Sequence, residues 1–320
     1  MLAPSGGLSL CFWLFVFLDL SVCLSLRAQQ ASNRIDSVTE LKTRAESGDL
    51  SAQTKLGEFL MAADPACDSY DSALNWLRSA VANNSANAEF VLGYLYHHGH
   101  GVPRNYTQAA KYYQSAVLDG HDIAPNNLGV LYQHGFGVPR NPARALELFR
   151  ISAERGYATA QYNVAVAYSL GIGSQIDPNE AARWFRASAD LGYAPSQRAL
   201  GVLYCKGMGV PLDYSQAAHW IALAAYQGEP PAETDLAALY EDGRGVSLDY
   251  VAAYTWYARA VAAGDPPASS RLKNLTKLMT RKELERAHAV LLTEPVPHPS
   301  DSGKHEKQKF RNSISGSGAS

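Results

Sequence analysis

The sequence predicts an all-α protein: a helix-pair repeat solenoid, an α/α superhelix of about six 36-residue units. Three observations carry this. Gly101, Gly137, Gly173, Gly209 and Gly245 fall on one phase of a 36-residue period, and Gly120, Gly156, Gly192, Gly228 and Gly264 fall on a second. Ala73, Ala109, Ala145, Ala181, Ala217 and Ala253 hold a third phase, and Tyr96, Tyr132, Tyr168, Tyr204 and Tyr240 a fourth. Within each unit the apolar residues recur at helical spacing, as at 88, 91, 92, 95 and 96. A fixed period of this length is the signature of stacked supersecondary units, none of which can bury its apolar face alone.

At the N-terminus, Leu8 to Leu26 is an apolar run interrupted by Asp19. Residues 1–28 are expected to be a signal peptide or an N-terminal anchor: the apolar core precedes a polar chain, and Cys23 and Ser25 permit cleavage after Ser25. The run is also just long enough to span a bilayer, which keeps membrane anchoring through an uncleaved segment open. The expected location is therefore exported, periplasmic or secreted, with membrane attachment as the alternative. Residues 36–50 are predicted to form an N-terminal capping helix closed by Gly48. Residues 51–266 hold the six repeats. The first is degenerate, with DPACDSYD in place of the Gly-x-Gly turn, as terminal repeats often are. Residues 267–294 read as one or two C-terminal capping helices. The Ser, Gly, Lys and His-rich stretch 295–320 has almost no apolar content, and disorder is expected there.

Each unit divides into two helices. The first, for example Asn87 to His98, stops at Gly99, and the Gly-x-Gly turn supplies the left-handed conformations a helix end needs. The second starts at a capping residue: Asn105, Asn141, Asp177, Asp213 and Asp249 share one phase, and Pro142 and Pro178 follow directly. Aromatics at 112–113, 149, 184–185, 220 and 256–257 bury its inner face, with Trp184, Trp220 and Trp256 expected between units. Gly93, Gly129 and Gly201 lie inside the first helix, where glycine costs roughly 1 kcal/mol against alanine. Ala165 and Ala237 at the same phase point to a size limit set by a close helix crossing.

The composition is ordinary: 47% hydrophobic, 18% charged and net charge −2, with no basic excess to suggest nucleic acid. Of the four cysteines, Cys11 and Cys23 lie in the apolar leader. Cys67 and Cys205 sit four repeats apart, and at roughly 10 Å per stacked pair they are too distant to bridge. No P-loop, G-x-S-x-G, H-E-x-x-H or C-x-x-C motif occurs, and no cofactor is expected. Ser270-Arg271-Leu272-Lys273 matches S-x-x-K without S-D-N or K-T-G, and Leu272 falls on the core phase, so a chance match in a helix is the reading taken. His97, His98 and His100 cluster at one turn and His134 repeats the His98 phase, but adjacent repeat copies lie too far apart to converge on one ion, so no metal is assigned. Asn83, Asn105 and Asn274 open N-x-S/T sequons, of which Asn105 is explained as a helix cap.

The unit L-G-x-x-Y-x-x-G-x-G-V-x-x-(D/N)-x-x-x-A-x-x-(W/Y), seen in Ser196 to Gly228 as SQRALGVLYCKGMGVPLDYSQAAHWIALAAYQG, resembles the Sel-one-like repeat, a relative of the tetratricopeptide repeat. The resemblance covers Ser51 to Pro266, with five of six units close to the pattern. It implies a non-enzymatic adaptor that binds a protein or peptide partner. Some bacterial members carry a cysteine pair in each unit and are linked to penicillin binding, and this chain lacks those pairs. A cell-envelope enzyme or penicillin-interacting protein of the amide hydrolase type is the alternative. In tetratricopeptide-like solenoids the first helix lines the concave face. Carried across, the resemblance implies a groove lined by Phe90, Tyr94 and His97, then Asn126, Val130 and Gln133, then Tyr162, Val166 and Ser169, then Arg198, Val202 and Cys205. Tyr94, Val130, Val166 and Val202 would run along it as an apolar line, the kind of exposed strip that marks a partner site.

Overall fold

The structure is a computed structural model and describes residues 38–63 and 69–293. Residues 1–28, Cys67 and the 295–320 stretch lie outside the described residues, and so do the expectations placed on them. Fifteen helices and no strand occur among the described residues. Two compact units divide the chain between His121 and Asp122.

The first unit begins with α1 over residues 38–46. The pairs α2 (Leu50–Ala63) with α3 (Ser69–Ala82) and α4 (Ala86–His98) with α5 (Tyr106–Leu118) follow. The second unit opens with α6 (Ala124–His134) and α7 (Pro142–Glu154), then α8 (Ala158–Leu170) and α9 (Pro178–Asp190). Next come α10 (Ala194–Lys206) with α11 (Tyr214–Ala225), and α12 (Pro230–Asp242) with α13 (Tyr250–Ala262). It closes with α14 (Pro266–Leu275) and α15 (Arg281–Thr293), both packed on α13. From α2 to α14, within each unit, the helices pack chiefly on the one before and the one after, the one-dimensional pattern of a repeat array.

The local signals act where the sequence puts them. Asn105, Asn141, Asp177, Asp213 and Asp249 each accept a first-turn N–H; Asp213 takes two, from Ser215 and Gln216 at 2.9 and 3.0 Å. At the far end of the first helices, Gly99, Gly135, Gly171, Gly207 and Gly243 are left-handed C-caps. The mid-helix glycines meet bulky side chains of the partner helix. A methyl on Gly93 would press on the Tyr113 ring, one on Gly129 on the Phe149 ring, and one on Gly201 on Ile221. The second glycine of the turn has a further reason. A Cβ on Gly173, Gly209 or Gly245 would collide with the carbonyl of Pro142, Pro178 or Tyr214 in the preceding repeat. These glycines therefore set how closely one repeat approaches the next.

The core is a series of overlapping clusters. In the first unit Leu74, Leu77, Ala88, Leu92 and Leu95 pack together, while Trp76 lies against Ala45, Ala52 and Leu56. In the second, Trp184 packs against two successive clusters, one around Phe149 and Val164 and one around Phe185 and Leu200. Trp220 and Trp256 are buried. The largest cluster, around Ile221, Leu236, Trp256 and Tyr257, runs into α14 and α15 through Ala268, Leu275 and Ala287. These last helices cover the apolar face that the final repeat leaves open.

Candidate functional site: the inner face of the first helices

The groove positions implied by the sequence occupy three phases of the first helices, with Phe90, Tyr94 and His97 in the first unit and the rest in the second, and these lines of equivalent positions differ in chemistry. The first line, Phe90, Asn126, Tyr162 and Arg198, is largely taken up inside the protein. In the first unit Phe90 stacks on His121 with ring centroids 4.3 Å apart. In the second unit Tyr162 meets Tyr193 edge-on at 5.5 Å. Asn126 is buried; its side-chain oxygen accepts from Asn163 at 2.8 Å and its backbone N–H donates to Ser152. Arg198 donates to Asp235 at 2.7 Å and lies beside Glu229.

These contacts share a spacing. Phe90–His121, Tyr162–Tyr193 and Arg198–Glu229 are each 31 residues apart, as are Thr54–Ser85, with hydroxyls 3.3 Å apart, and Thr234–Asp265, bonded at 2.5 Å. In each pair an inner-face residue of one first helix meets the last residue of its own repeat, which for Ser85, Tyr193, Glu229 and Asp265 is also the N-cap of the next first helix. The chemistry is matched pair by pair: ring on ring, guanidinium by carboxylate, hydroxyl on hydroxyl or carboxylate. These residues hold successive repeats in register. The side chains of Phe90, Tyr162 and Arg198 are half-buried.

The second line is more accessible. Tyr94 is 41% exposed and leans on His98, with centroids 4.3 Å apart. Val130, Val166 and Val202 are half-buried; Val130 and Val166 pack against the core clusters of their repeats.

On the third line, Gln133, Ser169 and Cys205 are half-buried. His97 is half-buried too; its ring lies 4.5 Å from that of His98, and its Nδ1 is 3.4 Å from the Tyr113 hydroxyl. Burial, then the neighbouring imidazole, pushes His97 and His98 below the usual histidine range, so both are neutral at pH 7. No group of three His, Cys, Asp or Glu among the described residues could hold a metal ion. Cys205 is a free thiol pushed up by burial and then by Asp235, the opposite of what a nucleophilic thiolate needs. Ser270 is exposed on α14 and donates to the Pro267 carbonyl at 3.0 Å.

Sequence reasoning stopped these lines at Arg198, Val202 and Cys205, yet the same phases continue to Thr234, Ala238 and Glu241. The densest polar grouping of the second unit lies there. Asp235 sits between Arg198 and Arg271, and the Tyr257 hydroxyl donates to Glu241 at 2.8 Å. Burial holds Glu229 up to about 7 against the pull of Arg198. The period alone identified these positions; extending it one repeat would have found them.

A second polar row was also missed. Gln53, Gln161 and Gln197 share a phase with Glu89 and Glu233, and all five are buried. The three glutamines each donate to the carbonyl eight residues earlier, of Ala45, Ala153 and Ala189. Glu89 accepts from Ser115, and Glu233 lies 3.4 Å from the Arg259 guanidinium. Each side chain fastens the start of a first helix to the helix before it or to its own partner, so a polar residue there belongs to the interior.

Within each unit the stacked helix pairs define a helical-repeat protein. The chain belongs to the Sel1 repeat family: the family model matches residues 50–85, 86–121, 124–157, 158–193, 194–229 and 230–265. Sel1 repeats generally mediate protein interactions. The chain is similar to c5321, a protective antigen present in uropathogenic Escherichia coli strains that displays an SLR fold. The identity is 33% and the TM-score 0.71, over 78% of this chain and 54% of that one. It therefore spans about half the length of that antigen. It is also similar to a Sel1 repeat protein from Oxalobacter formigenes, at 28% identity and TM-score 0.65, over 79% of this chain and 98% of that one. No match was found among the curated proteins.

Proposed function

We propose that the protein is a non-enzymatic scaffold that holds a protein or peptide partner along the inner face of its first helices. The observation that carries this is the split within that face. One line of side chains is committed to repeat register. Beside it Tyr94 is exposed in the first unit, and Val166 and Val202 are half-buried in the second. Within a unit, apolar side chains on a repeated backbone suit an extended segment that makes one contact per repeat.

Cross-linking and mass spectrometry in the native host would identify the partner. Tyr94→Ala and Val202→Lys are then expected to weaken binding at least tenfold while leaving helicity unchanged. Tyr94 is a better probe than Phe90, because truncating Phe90 also removes the His121 stack. Binding that survives both changes would place the partner elsewhere.

We further propose that the protein is exported, supported by the apolar run Leu8–Leu26 and the polar chain after it. N-terminal sequencing of the mature protein should begin after Ser25; a protein beginning at Met1 would instead support an uncleaved anchor. No helix among the described residues is long and apolar enough to cross a membrane.

A further inference from the structure

The turn between the two helices of each repeat carries an apolar row that the fold does not require. In the second unit these turns are residues 135–141, 171–177, 207–213 and 243–249. They lie one upon the next, since Gly173, Gly209 and Gly245 each press on the backbone at the start of the preceding repeat's second helix. Their edge exposes Phe136, Leu170, Ile176, Met208, Leu212 and Leu248, with Ile176 at 66% and Leu212 and Leu248 each at 58%.

The chain supplies its own control for what packing needs here. Ile176, Leu212 and Leu248 share a phase with Arg104 and Arg140. At every one of these positions the base of the side chain covers the C-cap glycine of its own repeat. Arginine does this as well as leucine, and Arg140 adds a bond to the Gln133 carbonyl at 3.1 Å. The fold thus accepts a charged side chain at this position, yet three successive repeats carry an exposed aliphatic one. The neighbouring position shows the same freedom: Leu170 shares its phase with His98, His134, Lys206 and Asp242.

We propose that this row is a self-association surface, and that its occupant is the same row of a second copy of the chain. Two arguments select a copy. The first is the pattern. Four of the six exposed side chains, Leu170, Ile176, Met208 and Leu212, belong to the two middle repeats, while Arg140 lies at one end and Asp242 and Arg244 at the other. A two-fold axis between the middle turns pairs their apolar side chains with each other and brings Arg140 of each copy towards its partner's Asp242–Arg244 ion pair, whose atoms lie 3.5 Å apart. That is an apolar centre with a charged rim, made by a surface that complements itself. Lys206, the remaining cation of the middle turns, then faces the turn that carries Asp177.

The second argument is size. Six such side chains offer roughly 100 Å² each, so two copies cover roughly 1,200 Å² in total, the lower bound of specific interfaces. A patch of roughly 600 Å² on one chain is at the upper limit of what a monomer ordinarily leaves open. The expected product is a reversible dimer.

The test uses the full chain and the variant Ile176→Arg/Leu212→Arg/Leu248→Arg, which places in three repeats the residue that Arg104 and Arg140 already provide in two others. Sedimentation equilibrium should show a monomer–dimer equilibrium for the parent chain at ~100 μM. The variant should show at least a tenfold weaker association with the same circular dichroism and melting temperature. A parent chain that stays monomeric at that concentration overturns the proposal, as does self-association that the triple change leaves untouched. A monomer that sediments with phosphatidylcholine vesicles and loses this in the variant also overturns it, and assigns the row to a lipid surface. Should the triple variant fail to fold, Leu212→Arg alone is read in the same way and decides.

Discussion

Gly209→Ala is expected to destabilise the second unit by about 3–5 kcal/mol, among the largest effects of any single methyl in the chain. Gly209 has φ +68°, which costs an alanine about 1–2 kcal/mol by itself. The added methyl also runs into the Pro178 carbonyl of the preceding repeat, and both partners are backbone, so no rotamer change relieves the clash. Two other substitutions separate these effects. Gly228 has φ +79° with nothing near a new methyl, and Gly207 has φ +63° with Leu212 3.3 Å away. Gly228→Ala should cost only the backbone strain, about 1–2 kcal/mol, and Gly207→Ala that strain plus a small shift of Leu212. Thermal melts followed by circular dichroism should place Gly209→Ala about 10 °C below the parent chain and the other two much nearer to it. Because the clash lies between repeats, unfolding should also lose cooperativity, with the two sides of the Pro178–Gly209 contact melting apart. If Gly209→Ala and Gly228→Ala melt together, the close approach of successive repeats is not what holds glycine at this phase.

This glycine also marks the boundary of what the sequence could reveal. The capping roles of Asn105 and Asp213 were legible because an N-cap is satisfied within three residues of itself. Gly93, Gly129 and Gly201 were legible because an interior glycine has a known cost and only a close neighbour offsets it. Gly209 was legible as a turn residue, but its second task depends on the adjacent repeat, which a single unit does not contain. The inner face was read one helix at a time. Phe90, Tyr162 and Arg198 therefore read as groove, whereas the residues they meet, His121, Tyr193 and Glu229, lie 31 residues on, at the far end of the same repeat. The trace of those contacts was present in the sequence as matched chemistry at that spacing. The buried row of Gln53, Gln161 and Gln197 was harder, because a glutamine in the first turn of a helix ordinarily reads as surface. Only the backbone carbonyl that each one reaches shows that it belongs inside.

The last member of that row gives the second large effect: Arg259→Ala should destabilise the second unit least near pH 7, where Glu233 can hold its proton, and most at higher pH, where its carboxylate would be buried without a counter-charge. The side chains of Glu233 and Arg259 are 4% and 10% exposed, and the guanidinium also lies over the Trp256 ring at 4.3 Å. Burial pushes Glu233 up to about 7 even with Arg259 beside it, since at 3.4 Å the pair lacks a tight hydrogen bond to offset the lost hydration. The pH dependence follows from that direction. The folded carboxyl holds its proton more tightly than the unfolded one, whose ordinary value is 4.5. The folded state therefore binds more protons between about 4.5 and 7, and stability falls as pH rises through that window and levels off above it. Glu229, also raised to about 7, acts in the same sense. Glu233→Gln should remove its share of the slope, because Gln161 and Gln197 already fill this position in two other repeats by donating to a backbone carbonyl. Arg259→Ala should extend the slope to higher pH, since the carboxyl then loses the charge that favours its ionised form. The double variant Glu233→Gln/Arg259→Leu should recover most of the lost stability and show a profile as flat as that of Glu233→Gln. Urea unfolding from pH 5 to 8 reads all of these outcomes. A double variant no more stable than Arg259→Ala would mean that the arginine acts through its packing on Trp256 and not through the charge of Glu233.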